Sequence, residues 1–131
     1  KNLDAYALFL RGRDYHNRRN NEDNERAIEL LRKAIDLDPG YALAYSELAM
    51  AYISRYLLYG FSSTMADSGI TLALRAIELD PKSPEAYHSV GKGYEALGKV
   101  SFALQHYNKA IALSPNYAPA VGSLGWVAFG V

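Results

Sequence analysis

Apolar positions recur along this chain at the spacing of an amphipathic helix. Tyr45, Leu48, Ala49 and Tyr52 stand at i, i+3, i+4 and i+7, which lays a single stripe along one helix face. The same offsets return at Tyr87, Val90, Gly91 and Tyr94, and again at Val121, Leu124, Gly125 and Ala128. Each set follows a proline, and each proline closes a copy of one short run: Lys33-Ala34-Ile35-Asp36-Leu37-Asp38-Pro39, Arg75-Ala76-Ile77-Glu78-Leu79-Asp80-Pro81 and Lys109-Ala110-Ile111-Ala112-Leu113-Ser114-Pro115. Proline has no N–H for the helical ladder and clashes with the turn before it, so every copy predicts the end of a helix. The segments running into these ends carry stripes of their own, Ala27, Leu31, Ala34 and Ile35 in one and Ala103, Tyr107, Ala110 and Ile111 in another. Between Tyr94 and Ala103, Gly98 is placed to end one helix in a left-handed turn. The pattern predicts helical hairpins whose two stripes face each other.

Pro81 and Pro115 are 34 residues apart, and an aromatic, a Leu-Gly-like pair, Tyr, Ala, an aromatic and Pro fall at fixed offsets between them. That period and pattern resemble the tetratricopeptide repeat over nearly the whole chain. The resemblance implies an all-α fold, a right-handed superhelix of about seven helices. Three hairpin repeats are expected at about 3–41, 42–83 and 84–117, and one unpaired helix in a partial fourth repeat over 118–131, forming a single domain 1–131. Beginning at Lys1 and stopping in an apolar helical segment at Val131, the chain reads as a piece of a longer protein.

Departures from the period are informative. Tyr15 to Ala27 is 12 residues against 9 for Tyr94 to Ala103, so three extra residues are expected in the first hairpin around Asn20-Asn21. Tyr52 to Gly69 is 17, an excess of eight around Ile53 to Met65. Turns absorb insertions most readily because the stacked faces are untouched. The helix after Pro39 is expected to run through Tyr59 and stop at Gly60, with Ser62 or Ser63 capping the next. Ser83-Pro84-Glu85 marks another helix start, and Asn21-Glu22-Asp23 a weaker one. Arg11 takes the place that Leu48, Val90 and Leu124 hold later, as befits a first repeat with no predecessor to pack on.

Composition narrows the chemistry. Half of the residues are hydrophobic, and 14 basic side chains balance 14 acidic ones, so the chain can bury a core and carries no electrostatic signature of nucleic acid or an anionic membrane. No apolar run approaches the roughly 20 residues of a membrane span. There is no cysteine, which removes disulfides, thiolate metal sites and cysteine nucleophiles. His16, His88 and His106 lie in different hairpins without a ligand spacing, so no metal is expected. Gly91-Lys92-Gly93 lacks the strand and the wider frame of a phosphate loop. Ser62, Ser63 and Ser89 have no His–Asp set beside them in spacing. Eleven tyrosines could form a stacking platform, but Tyr45, Tyr52, Tyr87, Tyr94 and Tyr107 occupy repeat-core positions. The expectation is a chain without catalytic residues, cofactor, metal or nucleic-acid ligand.

The resemblance places a partner-binding ridge on the concave face. It implies Tyr6, Phe9, Arg13 and His16 in the first repeat, then Leu43, Ser46, Met50 and Ile53, then Glu85, His88, Lys92 and Glu95. An extended or helical peptide or protein segment is the ligand such a ridge suggests. Alternatively, Phe9, Leu43, Met50 and Ile53 cover one another between adjacent helices. One subclass of the family clamps a C-terminal carboxylate with lysines and asparagines on this ridge; here only Arg13 and Lys92 are cationic, so a chaperone tail is not expected. Arg55, Tyr56, Leu57, Leu58, Tyr59 and Phe61 of the long insertion are expected to fold back on their hairpin. Trp126, Val127, Phe129 and Val131 lack the second helix that would cover them, and pairing of two such ends, centred on Trp126 and Phe129, is the expected consequence. The opening run Asp4 to Tyr15, with Arg26-Ala27-Ile28-Glu29-Leu30-Leu31, is similar to arrays attached to bacterial adenylate cyclases, winged-helix regulators and serine/threonine kinases. The reading is thus a protein-interaction scaffold, with a regulatory or dimerisation module serving an output domain as the alternative. The expected setting is the cytoplasm, with the periplasm as the second choice.

Overall fold

The computed structural model describes residues 2–129, with side chains through residue 127. Seven α-helices follow one another in that span: α1 (Leu3–Asn17), α2 (Asn21–Leu37), α3 (Ala42–Tyr59), α4 (Thr64–Leu79), α5 (Pro84–Ala96), α6 (Val100–Leu113) and α7 (Ala118–Phe129). Helices α1 and α2, α3 and α4, and α5 and α6 pack as antiparallel hairpins, and α7 packs on the last of them. Neighbouring hairpins touch through α2 with α3, α3 with α5, and α4 with α5. This is the expected array, and no strand occurs among the described residues.

Local chemistry sets the boundaries. Asp38, Asp80 and Ser114 end α2, α4 and α6 one residue before a proline, where the ladder can go no further. Gly60 and Gly98 adopt φ of +81° and +77°, the left-handed geometry that costs other residues most and turns the chain out of α3 and α5. Ser83 Oγ accepts from the Ala86 N–H at 3.2 Å, with Pro84 at the first helical position. One expected cap moves by one residue, and the cap expected at Ser62 or Ser63 falls at Ser63. Asn20, rather than Asn21, caps α2, its Oδ1 accepting from the Asp23 N–H at 2.8 Å. Ser63 precedes α4 without a side-chain bond, while Ser62 Oγ accepts from the Thr64 N–H at 3.3 Å.

The insertions also lie differently from expectation. The turns 18–20 and 97–99 are equally long, whereas Ala27 is the seventh residue of α2 and Ala103 the fourth of α6. The three extra residues are therefore nearly one added helical turn at the start of α2. In the second hairpin, α3 continues seven residues past Tyr52 where α5 continues two past Tyr94, and most of the excess is again helix. Arg55 folds this extension back: it donates from Nε to Glu25 Oε2 at 2.8 Å, makes a second bond to Glu25 Oε1, and lies over the rings of Tyr52 and Phe61. Leu57, Leu58 and Phe61 stay partly exposed beyond it.

The core runs through the stack. Phe9, Ala27, Ile28, Leu31 and Ala34 pack with Ala44, Leu48, Ala51 and Tyr52 where α1, α2 and α3 meet. Ala49, Ala73 and Val90 continue it between the second and third hairpins. Small residues set how closely helices approach. A Cβ added at Gly91 would stand 2.4 Å from the buried Tyr107 ring, and one at Gly12 2.7 Å from Leu31. Polar pins cross the joints: Asn24 Nδ2 donates to Ala51 O at 3.0 Å, and Ser89 Oγ to Ser46 O at 3.2 Å. Arg11 is exposed where Leu48 and Val90 are buried, since it lies on the outer face of the first hairpin.

Candidate functional site

The first helix of each hairpin contributes to one groove. Phe9, Arg13, His16 and Asn17 of α1, Leu43, Ser46, Glu47 and Met50 of α3, and Glu85, His88 and Ser89 of α5 line a cavity of about 240 Å³. Tyr117, in the turn before α7, and Pro119 close its far end. The stack itself creates this space, because successive first helices stand side by side along it.

Most of the ridge expected from the sequence converges here, but several members are not free. Phe9 is 4 % exposed; it packs on Tyr41 with ring centroids 5.2 Å apart and carries the Arg13 guanidinium 5.3 Å above its ring. Ile53 is 1 % exposed and lies against Gly69 and Gly93, so it belongs to the core between hairpins. Of the mutually covering set proposed as the alternative, Phe9 and Ile53 are covered, Leu43 is exposed and Met50 half-buried. Lys92 and Glu95 pair with each other at 3.7 Å, and Glu95 also accepts from the Tyr107 hydroxyl at 2.5 Å, outside the groove lining. Tyr6 lies apart as well, with Leu43 and Tyr41 in a neighbouring cavity.

Glu47, Asn17, Ser89 and Tyr117 are groove residues that the ridge pattern missed. Glu47 and Ser89 each follow a ridge residue directly, Ser46 and His88, and line the groove beside them. Glu47 Oε2 is 2.9 Å from His16 Nδ1, whose other nitrogen is 3.3 Å from Ser54 Oγ. His88 is buried, with Nε2 3.0 Å from Ser123 Oγ and its ring between those of Tyr107 and Tyr117. Burial, with Lys92 nearby, lowers its pKa to about 4, so the imidazole is neutral at pH 7. Burial, followed by the charges of Glu85 and Glu47, pushes the Tyr117 phenol up to about 12. Ser46 Oγ is buried without a hydrogen-bond partner among the described residues.

Models of the tetratricopeptide repeat match residues 84–117 and 16–41. The chain is an array of tetratricopeptide repeats. Serine/threonine-protein phosphatase 5 of Mus musculus is 35 % identical over 112 residues, covering 86 % of this chain and 20 % of that protein. The chain spans about a fifth of the length of such curated relatives. Among solved structures, the first tetratricopeptide domain of Spaghetti (RPAP3) bound to the HSP90 peptide SRMEEVD superposes with a TM-score of 0.77 at 22 % identity, covering 99 % of this chain and 94 % of that one. The second such domain of human RPAP3, in complex with the HSP70 peptide SGPTIEEVD, gives a TM-score of 0.74 at 25 % identity, covering 96 % of each.

Against the repeat pattern, α7 stands in the register of a first helix whose second helix is not among the described residues. Trp126 is 62 % exposed and Val121 47 %. Phe129 ends α7 with its side chain outside the described residues, as is all of Val131. No group of three or more His, Asp or Glu residues that could hold a metal occurs among the described residues. No helix there is long and apolar enough to cross a membrane.

Proposed function

We propose that this array is a non-catalytic scaffold that binds a peptide or protein segment in the groove between α1, α3 and α5. The observation that carries the reading is the groove itself, a cavity open to solvent and lined from three successive hairpins by Arg13, Met50, Glu85 and their neighbours. Its rims are fixed by the packed stack, so little conformational entropy is lost there when a ligand docks. Both RPAP3 domains superpose over nearly the whole of this chain and hold peptides. Phosphatase 5 shows a related array within a much longer protein, which supports a role in service of other domains. A cytoplasmic setting is part of the same proposal.

The test is a peptide array covering the proteome of the native host, followed by affinity measurements on the best binder. Leu43→Trp combined with Met50→Trp, which fills the groove without changing its charge, should weaken that binder at least about tenfold, the effect expected for blocking the centre of an interface. Unchanged affinity in this variant, with the fold intact by circular dichroism, overturns the reading.

A second reading rests on α7. Its Trp126, a large apolar side chain, is 62 % exposed, and we propose that two chains pair through it. In that case the module would couple assembly to an output domain of its parent chain. The curated relatives above are eukaryotic and give the bacterial signalling setting no support.

A further inference from the structure

The polarity of the groove points to the chemistry of its occupant. Peptides ending in EEVD, such as those in the RPAP3 complexes, present carboxylates. The groove here presents carboxylates of its own: Glu47 from α3 and Glu85 from α5 line it together. Glu47 is partly desolvated, with its side chain 18 % exposed, and its nearest polar partner is His16. Among the described residues, Glu85 Oε1 accepts from the nearby Ser83 hydroxyl, at 3.2 Å. Tyr117 lines the same cavity as both carboxylates. Beside them Ser46 Oγ, buried and without a partner among the described residues, is one more acceptor on the lining. The single permanent cation of the lining is Arg13, and its guanidinium is spread over the Phe9 ring at the opposite side, on α1.

Resting on the peptide-groove reading, we propose that the occupant is a basic peptide segment, one of whose arginine or lysine side chains enters between Glu47 and Glu85. A cavity of about 240 Å³ is the size for one such side chain and not for a folded element. Arginine fits best, since its donors fan out in a plane and can serve two carboxylates and a hydroxyl together. The aliphatic stem of the arginine would lie along Met50 and Leu43, whose apolar surface the groove leaves partly uncovered. An acidic tail is disfavoured by the same two charges, as like charges brought together in a partly desolvated site repel.

The experiment uses the full chain and three fluorescein-labelled nonapeptides of glycine, serine and leucine. All are capped at both ends; one has two central arginines, one two central glutamates and one neither. Fluorescence anisotropy should show the arginine peptide binding at least about tenfold more tightly than the glutamate peptide, as a charge-assisted hydrogen bond implies. Glu47→Gln and Glu85→Gln should each weaken the arginine peptide by about tenfold, and Glu47→Lys with Glu85→Lys should reverse the preference. Thermal unfolding confirms that each variant is folded, and Glu85→Gln keeps the acceptor for Ser83. Equal or tighter binding of the glutamate peptide overturns the proposal, as does an arginine-peptide affinity unmoved by both glutamine variants. If the glutamate peptide wins and Arg13→Ala weakens it, this inference fails while the groove stands. If no peptide responds to any groove substitution, Met50→Glu included, the groove reading fails with it.

Discussion

Helices α5 and α7 carry one register of side chains and reach opposite ends. In α5, Val90 is fully buried and Gly91 sits under the Tyr107 ring of α6. In α7 the matching Leu124 is only half-buried, and a Cβ at the matching Gly125 would meet nothing within 4 Å. Tyr87 of α5 stacks toward His106 of α6, whereas Val121, its counterpart in α7, is about half exposed. The repeat pattern thus states which face of a helix wants burial; the neighbouring helix decides whether burial occurs. The first hairpin answers the same problem by composition. Its outer face carries Arg11, Arg26 and Lys33, and the guanidiniums of Arg18 and Arg26 lie 4.3 and 5.9 Å from the Tyr15 ring. The first hairpin thus presents charge on its outer face, where α7 presents apolar side chains.

The largest effect is expected where the registers of α5 and α1 are exchanged. Val90→Arg puts an unpaired charge into the joint between hairpins and should destabilise the fold by about 4 kcal/mol or more. Arg11→Leu, at the corresponding exposed position, should change stability by no more than about 0.5 kcal/mol. Urea denaturation of both variants measures the contrast. A similar cost at the two sites would mean that the first hairpin has a packed outer face after all.

His88 joins the two helices being compared, reaching from α5 to Ser123 of α7. Its folded pKa of about 4 lies below the ordinary value of 6.5. The unfolded chain therefore binds this proton at a higher pH than the folded chain does. The stabilisation is complete above about pH 6.5 and is lost as the pH falls toward 4, with a total of about 3 kcal/mol. Denaturant unfolding at pH 7.5 and pH 4.5 should show this loss in the parent chain, beyond any contribution of the carboxylates. His88→Asn should be less stable at pH 7.5 and should lose less on acidification. Equal acid sensitivity of the two proteins would show that His88 is not held neutral.

These contrasts also explain what was legible in the sequence. The helix ends were, because Pro39, Pro81, Pro115, Gly60 and Gly98 act through local backbone chemistry that any reader of the chain can apply. The length of the turns was not. Whether three extra residues at Asn20-Asn21 form a loop or a helical turn depends on Arg19, which takes φ of +59°, and on Asn24 anchoring the new turn to α3. The ridge was legible as a set of positions one helical turn apart. Occlusion was not: Ile53 is buried by glycines of α4 and α5 that are far from it in sequence. Glu47 and Tyr117 were missed for a related reason: one lies a residue beyond the ridge position Ser46 and the other in the turn before α7, and both line the groove.

A smaller effect, but one of opposite sign at the two sites, is expected at the paired glycines. Gly91→Ala places a methyl group 2.4 Å from a Tyr107 ring that is fully buried and tied to Glu95. Overpacking of this kind should cost about 1–3 kcal/mol. Gly125→Ala meets no neighbour and gains the better helix former, a stabilisation of up to about 1 kcal/mol. Thermal unfolding of both variants reads the sign directly. Destabilisation by Gly125→Ala would mean that something already covers α7 in solution.

The smallest change in folding stability is expected at Trp126, and it is the one that separates the two functional readings. The side chain is 62 % exposed, so Trp126→Lys removes little buried area and should shift stability by no more than about 0.5 kcal/mol. Its effect on association should be large. Where α7 pairs with α7, sedimentation equilibrium will show the mass of the parent chain rising with concentration and that of Trp126→Lys remaining at the monomer value. Trp126 does not line the groove, so peptide affinity should be the same in both proteins. A parent chain that stays strictly monomeric at high concentration would leave α7 as an uncovered helix face and assign the work of the array to the groove.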